Sequence, residues 1–128
     1  MGSIDDIEFG YEKLLVWQRS LEWADRILTI AENIGTERKH YRLIEQIESS
    51  CTSVPMNIAE GKGRFSKKEF VHFLYIARGS LYETMTLLEI FLKRRWVSQE
   101  DFISVKNETR EIAKMLNAFI NSIKKTQE

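Results

Sequence analysis

The sequence predicts an all-α protein, an antiparallel up-and-down four-helix bundle in a single domain. Apolar residues recur at steps of three and four through four long segments, which is the spacing of one helical face. Only one proline and six glycines occur among 128 residues, and the alternating pattern of strands is nearly absent. The connections between the segments are short, which favours antiparallel neighbours. The predicted bundle covers residues 11–124, between tails at residues 1–10 and 125–128.

The first two helices are predicted over residues 11–34 and 40–61. Gly35 is expected to end the first helix. The second continues through Pro55, whose missing N–H group predicts a kink. Gly61-Lys62-Gly63 is expected to end it, with one glycine in a left-handed cap conformation. The expected core faces are Trp17, Leu21, Ala24, Leu28 and Ala31 in the first helix, and Ile44, Ile47, Cys51, Val54 and Ile58 in the second.

The last two helices have recognisable starts. Ser66 lies three residues before Glu69, which is a capping box, and Ser98 with Asp101 repeats the pattern with the shorter carboxylate. Both helices then show the helical spacing of apolar residues. Their expected core faces are Phe70, Phe73, Leu74, Ala77, Leu81, Thr84, Leu88 and Phe91 in the third helix, and Phe102, Val105, Thr109, Ile112, Leu116, Phe119 and Ile123 in the fourth.

A second apolar stripe lies beside the predicted core face on the first and third helices. One interpretation is that each helix simply buries a wide stripe. The other is a subunit interface, because Trp, Tyr and Met are favoured at interface cores. The candidate interface residues are Trp23, Ile27, Val71, Tyr75, Tyr82 and Met85.

Polar residues near Pro55 predict a structural network. Asn57 and Glu60 flank the apolar Ile58, and a buried polar side chain must find hydrogen-bond partners. The expected partners are Ser53, Arg78 and Ser80. A catalytic role for Glu60 is the alternative, but the sequence offers no nucleophile or paired acid beside it. His40, His72 and Cys51 do not have metal-ligand spacing. We therefore expect a protein that is not an enzyme and that holds no metal or cofactor.

Charge and cysteine content limit the possible environments. Nineteen basic and nineteen acidic residues cancel, so any phosphate binding would need local clusters. No apolar run approaches the roughly 20 residues that span a bilayer, and a single cysteine with an acidic N-terminus predicts a cytoplasmic location. Two ends of the bundle concentrate positive charge, although helix dipoles and solubility could also explain them. The candidate nucleic-acid contacts are Lys62, Arg64, Lys67 and Lys68 at one end, and Arg38, Lys39, Lys93, Arg94 and Arg95 at the other.

Base stacking on aromatic side chains would favour a single-stranded ligand. Aromatic residues lie among the basic ones only as Tyr41, Phe65 and Trp96. We interpret these three as packing residues, so the sequence gives weak support for single-strand recognition.

Three motifs resemble a known family. They are LLVWQ at residues 14–18, SVPMNIAEG at residues 53–61, and SKKEF with the following FLYIARGSL at residues 66–81. They resemble bacterial four-helix-bundle proteins, also called intervening-sequence proteins because some are encoded inside insertions of large-subunit ribosomal RNA genes. The resemblance covers about residues 11–120, and the order of the motifs agrees with the helices predicted above.

The resemblance implies a ring-shaped homopentamer and a binding function. Related proteins are accessory variability determinants of diversity-generating retroelements, where a basic pentamer associates with a reverse transcriptase and with nucleic acid. This sequence departs from the family in two places. The basic pair that usually precedes the SVP motif is replaced by Gln46 and the acidic Glu48, and the usual Phe-Pro before the second helix is replaced around Gly35.

The expected function is therefore non-catalytic. A homo-oligomer would bind RNA or DNA, a reverse-transcriptase-like partner, or both. The alternative is a structural or protein-interaction scaffold that binds no nucleic acid. The two differ in salt dependence, because neutralising phosphates with Lys and Arg makes binding weaken steeply as salt rises.

Overall fold

The computed structural model describes residues 9–36 and 40–126, and these fold into four α-helices. A 3₁₀ turn, Gly10–Lys13, precedes the first helix. No β-strand occurs in the described ranges, so the predicted all-α class is confirmed. The helices are α1 (Leu15–Glu32), α2 (Tyr41–Lys62), α3 (Lys67–Lys93) and α4 (Gln99–Lys125).

All four helices contribute to one hydrophobic core. Its largest fully buried side chains include Trp23 and Ile27 from α1, Ile58 from α2, Phe91 from α3 and Leu116 from α4. Among the helix pairs that pack together, the contact is most extensive between α2 and α3 and least extensive between α1 and α4. None of the helices in the described part of the chain is both long and apolar enough to cross a membrane.

The starts of α3 and α4 agree with the predicted caps. The hydroxyl of Ser66 accepts a hydrogen bond from the backbone N–H of Glu69 at 3.1 Å. The hydroxyl of Ser98 accepts one from the N–H of Asp101 at 3.0 Å. Each contact satisfies a backbone donor that the first helical turn leaves without a partner, and so fixes where the helix begins.

The start of α1 differs from the prediction by four residues. Tyr11 lies in the 3₁₀ turn, and Leu14 is extended before α1 begins. The Glu12 carboxylate accepts a hydrogen bond from the N–H of Phe9 at 2.6 Å, and the Tyr11 ring stacks on Phe9 and contacts Trp17. These local contacts hold the turn outside the helix.

The core face of α1 is also corrected. Trp23 and Ile27, predicted to lie on the second stripe and named as candidate interface residues, are buried, whereas Leu21 is 46% exposed. The indole N–H of Trp23 donates to the Thr109 hydroxyl of α4 at 2.8 Å, which orients α1 with this face inward. Val71 of α3 is likewise buried. These three candidate interface residues therefore belong to the core and do not line a subunit interface.

The predicted end of α2 at Gly61-Lys62-Gly63 is confirmed, and Gly61 packs against α3. A Cβ at this position would lie 2.8 Å from Phe73 Cβ and 2.9 Å from Phe70 Cδ1, so glycine allows α2 and α3 to approach closely. Gly63 ends α2 with a φ of −79°, so the expected left-handed glycine is absent from this turn. The helix continues through the buried Pro55.

The left-handed residue lies instead at the end of α3. Arg95 has a φ of 61°. The N–H of Trp96 donates to the Phe91 carbonyl at 2.8 Å, the N–H of Arg95 donates to that of Leu92 at 3.0 Å, and the rings of Phe91 and Trp96 lie 5.2 Å apart. This is a Schellman motif with its usual apolar contact, formed with arginine where glycine is most common.

Candidate nucleic-acid interface

The turn between α2 and α3 displays four basic residues around one aromatic ring. Every residue from Lys62 to Glu69 is exposed. Phe65, predicted to be a packing residue, has a relative exposure of 105%, so its ring does not pack against the core. The short turn explains this exposure, because α2 ends at Lys62 and Ser66 already caps α3. The four basic residues are Lys62, Arg64, Lys67 and Lys68; together with Phe65 we call them the α2–α3 tip.

Contacts with neighbouring side chains hold three of the basic groups at this tip. The Arg64 guanidinium lies 4.7 Å from the centre of the Phe73 ring and pairs with Glu60 on the preceding turn. Lys62 Nζ lies 6.0 Å from the centre of the Phe70 ring. Lys67 Nζ donates to the Thr126 hydroxyl at 2.9 Å, which brings the end of α4 to this tip. Because these contacts already restrict the side chains, less conformational entropy is lost when a phosphate binds.

A shallow depression of about 600 Å³ opens beside the tip. Its volume is within the range of pockets that hold small molecules. Its walls combine a guanidinium, an ammonium, an imidazole, a hydroxyl and an aromatic ring with one carboxylate, that of Glu69. The basic and aromatic groups suit an anionic, partly aromatic ligand such as a nucleotide. The lining residues are Arg64, Ser66, Lys68, Glu69, His72 and Phe73.

The second basic cluster lies at the other end of α3. Lys93, Arg94 and Arg95 are all exposed. The Arg94 guanidinium lies 6.0 Å from the centre of the Trp96 ring, on which His40 stacks at 4.3 Å. The half-buried Trp96 therefore packs against its neighbours, as the sequence predicts. Arg38 and Lys39, assigned to this cluster from the sequence, lie outside the described residues.

Three of the five polar residues predicted to form a network near Pro55 bond to one another. The hydroxyls of Ser53 and Ser80 form a hydrogen bond of 2.9 Å between α2 and α3, and Asn57 Nδ2 donates to the Ser53 hydroxyl at 2.8 Å. Glu60 is exposed and pairs with Arg64. Arg78 donates to the Asn117 side chain of α4 at 2.9 Å. The structure therefore brings Ser53, Asn57 and Ser80 together and leaves Glu60 and Arg78 out of this network.

An open apolar groove between α1 and α2 was not anticipated from the sequence. It encloses about 710 Å³. Met56 is 66% exposed at its edge, and Leu21, assigned to the core from its spacing, lies in its wall. The sequence signal is the pair of apolar stripes on α1: of the predicted core face, Ala24 and Ala31 are buried, whereas Trp17, Leu21 and Leu28 line the groove. The apolar residues of this α1–α2 groove include Tyr11, Trp17, Leu21, Leu28, Pro55 and Met56.

An aromatic and basic face lies on α3 and α4; its tyrosines agree with the predicted second stripe of α3, whereas its basic residues on α4 are not predicted from the sequence. Tyr75 and Tyr82, two of the candidate interface residues, are exposed on α3. Lys124 Nζ donates to the Tyr75 hydroxyl at 3.0 Å, which joins the two helices along this face. Spacing in α4 could have revealed it, because Lys106, Arg110 and Lys114 recur every four residues. Met85, the remaining interface candidate, is half-buried, and its sulfur lies 3.1 Å from the Thr109 hydroxyl oxygen.

The Cys51 thiol is fully buried and lies near the carbonyl of Ala24 on α1. Burial raises its pKa from 9.0 to about 12, so the thiol stays protonated at neutral pH. A protonated thiol is a poor nucleophile and a poor metal ligand. Within the described residues, histidine, cysteine and acidic side chains nowhere gather in threes that could hold a metal ion.

Comparisons with known proteins agree with the helical architecture. A family model described as "23S rRNA-intervening sequence protein" matches residues 12–118. A crystal structure from Bacteroides thetaiotaomicron VPI-5482, of a protein of unknown function from the S23 ribosomal protein family, superposes with a TM-score of 0.77. Its sequence is 32% identical, and the match covers 83% of this chain and 98% of that one. No curated protein matches the chain.

Proposed function

Because this chain belongs to the 23S rRNA-intervening sequence protein family, we propose that it is a non-catalytic, homo-oligomeric four-helix-bundle protein that binds RNA through its α2–α3 tip. The observation that carries the proposal is the full exposure of Phe65 among four basic side chains. An exposed aromatic ring in water has no stabilising role, whereas stacking on a nucleic-acid base would bury it.

The charge of the tip supports the same function. Lys62, Arg64, Lys67 and Lys68 lie within seven consecutive residues and outnumber the neighbouring Glu60 and Glu69, so the tip is positive although the whole chain has no net charge. Local clustering of this kind is what a neutral protein needs for phosphate binding. The N-terminus of α3 adds its partial positive charge at the same place.

The proposal includes an antiparallel, up-and-down arrangement of the four helices. The stacking of His40 on Trp96 supports it, because these residues precede α2 and follow α3. The contact between Lys67 and Thr126 supports it in the same way for the start of α3 and the end of α4. In a homopentamer, as the resemblance suggests, each basic tip would be repeated five times, which would raise the apparent affinity for an extended RNA.

The proposal extends to a reverse-transcriptase-like partner and to a cytoplasmic location. The first rests on the resemblance to retroelement accessory proteins. The buried free thiol of Cys51 supports the second, because free cysteines are ordinary in a reducing compartment. A scaffold without nucleic-acid binding is the alternative, and the open apolar groove between α1 and α2 favours it.

RNA binding can be tested by fluorescence anisotropy with a labelled single-stranded RNA at low and at physiological salt. Phe65→Ala should weaken binding about 5-fold to 150-fold, since stacking contributes about 1 to 3 kcal/mol per base. The matched control is Tyr41→Ala, an exposed aromatic residue at the other end of α2, which should leave the affinity unchanged. Equal affinities for the wild type and Phe65→Ala would contradict base stacking at the tip.

Charge neutralisation separates RNA binding from the scaffold alternative. Lys67→Gln with Lys68→Gln should reduce the slope of log affinity against log salt by about 1.4, because each phosphate contact on a single strand contributes about 0.7. If the wild type binds no RNA even at low salt, RNA binding at the α2–α3 tip is excluded and the scaffold alternative is favoured.

A further inference from the structure

We propose that the α1–α2 groove of one copy receives the exposed α3–α4 face of a second copy, so that the chain assembles head to tail through two different surfaces. The proposal deepens the homo-oligomerisation that is part of the proposed function and rests on it. It names the two surfaces in contact and their chemistry. It does not depend on RNA binding.

The α1–α2 groove is open to solvent and has a mostly apolar lining that side chains of another molecule could contact. Its lining includes the buried Ala24 and Pro55 and the exposed Leu21 and Met56. A monomer in water gains nothing by leaving these side chains uncovered, since burying apolar surface is favourable by about 25 cal/mol per Å². The volume of about 710 Å³ is large enough to accept more than one side chain.

The walls of the groove are acidic. Glu22 and Asp25 line it from α1. On α2, Glu48 lies one turn before the lining residue Thr52, whose hydroxyl donates to the Glu48 carbonyl at 2.8 Å, and Glu45 lies one turn before that. The spacing places both glutamates on the groove side of α2. A surface that binds this groove should therefore present apolar or aromatic side chains flanked by basic residues.

The α3–α4 face has this composition. Tyr75 and Tyr82 are exposed two turns apart on α3, and Arg78 lies between them with its guanidinium 4.9 Å from the centre of the Tyr75 ring. On α4, Asn117 accepts a hydrogen bond from Arg78, and Arg110 and Lys114 precede Asn117 on the same side. Lys124 contacts Tyr75. Glu89 is an acidic residue on this side of α3, so the face is predominantly and not entirely basic.

The two surfaces complement each other and lie on different helix pairs. An interface between different surfaces is heterologous, so each copy can donate one surface and accept the other. Such contacts form a closed ring when the rotation between copies allows it and a filament when it does not. Opposite charges on the two surfaces would favour this contact and disfavour contacts between two like surfaces.

Charge reversal with mixing tests the pairing. The groove variant carries Glu22→Lys and Asp25→Lys, and the face variant carries Arg110→Glu and Lys114→Glu. All four positions are exposed, so the fold should be retained. The matched control carries Glu83→Lys and Glu111→Lys, which are exposed glutamates outside both surfaces. Masses are measured by size-exclusion chromatography with light scattering, and circular dichroism checks that each variant is folded.

We expect the wild type and the control to elute as a multiple of 15.1 kDa. Each reversal variant alone should elute as a 15.1 kDa monomer, and an equimolar mixture of the two should assemble again, into species with an even number of copies because the two variants must alternate. The mixture assembles only if the groove of one chain contacts the face of another. The basic groove of the groove variant then meets the acidic face of the face variant, and the acidic groove of the face variant meets the basic face of the groove variant.

Three results would overturn the proposal. A wild-type oligomer whose mass neither reversal changes would place its interface elsewhere while leaving homo-oligomerisation intact. Two monomeric variants that stay monomeric on mixing would exclude the pairing of these surfaces. A monomeric wild type would remove homo-oligomerisation itself; if the face variant then bound RNA more weakly, the basic face would belong to RNA. Binding of RNA at the α2–α3 tip is judged separately, from Phe65→Ala.

Discussion

At the scale of single residues, two helical glycines show how surroundings decide the effect of the same residue type. Gly61 of α2 lies against Phe70 and Phe73, and a Cβ there would come within 2.9 Å of both side chains. Gly79 of α3 is exposed, and a Cβ there would meet no atom within 4 Å. Both positions have helical backbone, so alanine would be preferred at each by helix propensity alone.

Replacing each glycine by alanine should therefore change stability in opposite directions. Gly79→Ala should raise the free energy of unfolding by about 0.5 to 1 kcal/mol, because alanine loses less backbone entropy on folding. Gly61→Ala should lower it by about 1 kcal/mol or more, because overpacking costs about 1 to 3 kcal/mol and exceeds the propensity gain. Urea denaturation measures both values. Stabilisation by Gly61→Ala would show that α2 and α3 can separate slightly without cost.

At the scale of elements, buried polar pairs fix how the helices are oriented about their axes. The indole N–H of Trp23 on α1 donates to the Thr109 hydroxyl on α4, which itself donates to the Val105 carbonyl at 2.7 Å. The hydroxyls of Ser50 on α2 and Thr84 on α3 form a second buried pair at 2.8 Å. Apolar packing alone tolerates some rotation of a helix, whereas a buried donor must meet its acceptor.

Removing the Thr109 hydroxyl should therefore be costly. Thr109→Val keeps the shape of the side chain and leaves the Trp23 N–H buried without its acceptor, which should lower the free energy of unfolding by about 1 to 3 kcal/mol. Thr86→Val is the control, because Thr86 is exposed and bonds only within its own helix; its effect should stay within about 0.5 kcal/mol. A double-mutant cycle with Trp23→Phe should give a coupling energy, and a coupling near zero would contradict the pair.

At the scale of the whole molecule, the buried thiol of Cys51 links folding to pH. Its pKa is about 12 in the folded protein against an ordinary value of 9.0, because burial disfavours the thiolate. The folded chain therefore keeps this proton over a range in which the unfolded chain has lost it. The stabilisation is complete below pH 9 and is lost as the pH rises towards 12.

The free energy of unfolding should consequently fall in alkaline solution by up to about 1.4 kcal/mol per pH unit from this group. Urea denaturation at several pH values measures the fall. Cys51→Ala isolates the contribution, because lysine and tyrosine side chains titrate in the same range in both proteins. The difference in stability between wild type and variant should shrink between pH 9 and pH 12. A constant difference would show that the thiol does not titrate differently in the two states.

The sequence predicts the cluster of basic residues at the candidate site. It does not predict that the Phe65 ring among them is exposed to solvent. Lys62, Arg64, Lys67 and Lys68 were identified as a cluster because short turns keep basic residues in solvent. Phe65 was assigned to packing because most aromatic rings are at least partly buried. Its exposure follows from the length of the turn, since Gly61 and Ser66 are fixed by the packing of α2 on α3 and by the cap of α3.

The sequence by itself determined the helical class, the starts of α3 and α4 and the apolar faces of α2, because periodicity and capping are local properties of the chain. Tertiary structure decided which of two apolar stripes on α1 faces the core. Both stripes fit a helix equally well, and the contact between Trp23 and Thr109 joins residues 86 positions apart. The same choice exposes Leu21 and creates the α1–α2 groove, so the surfaces available for assembly depend on contacts between helices that no local pattern specifies.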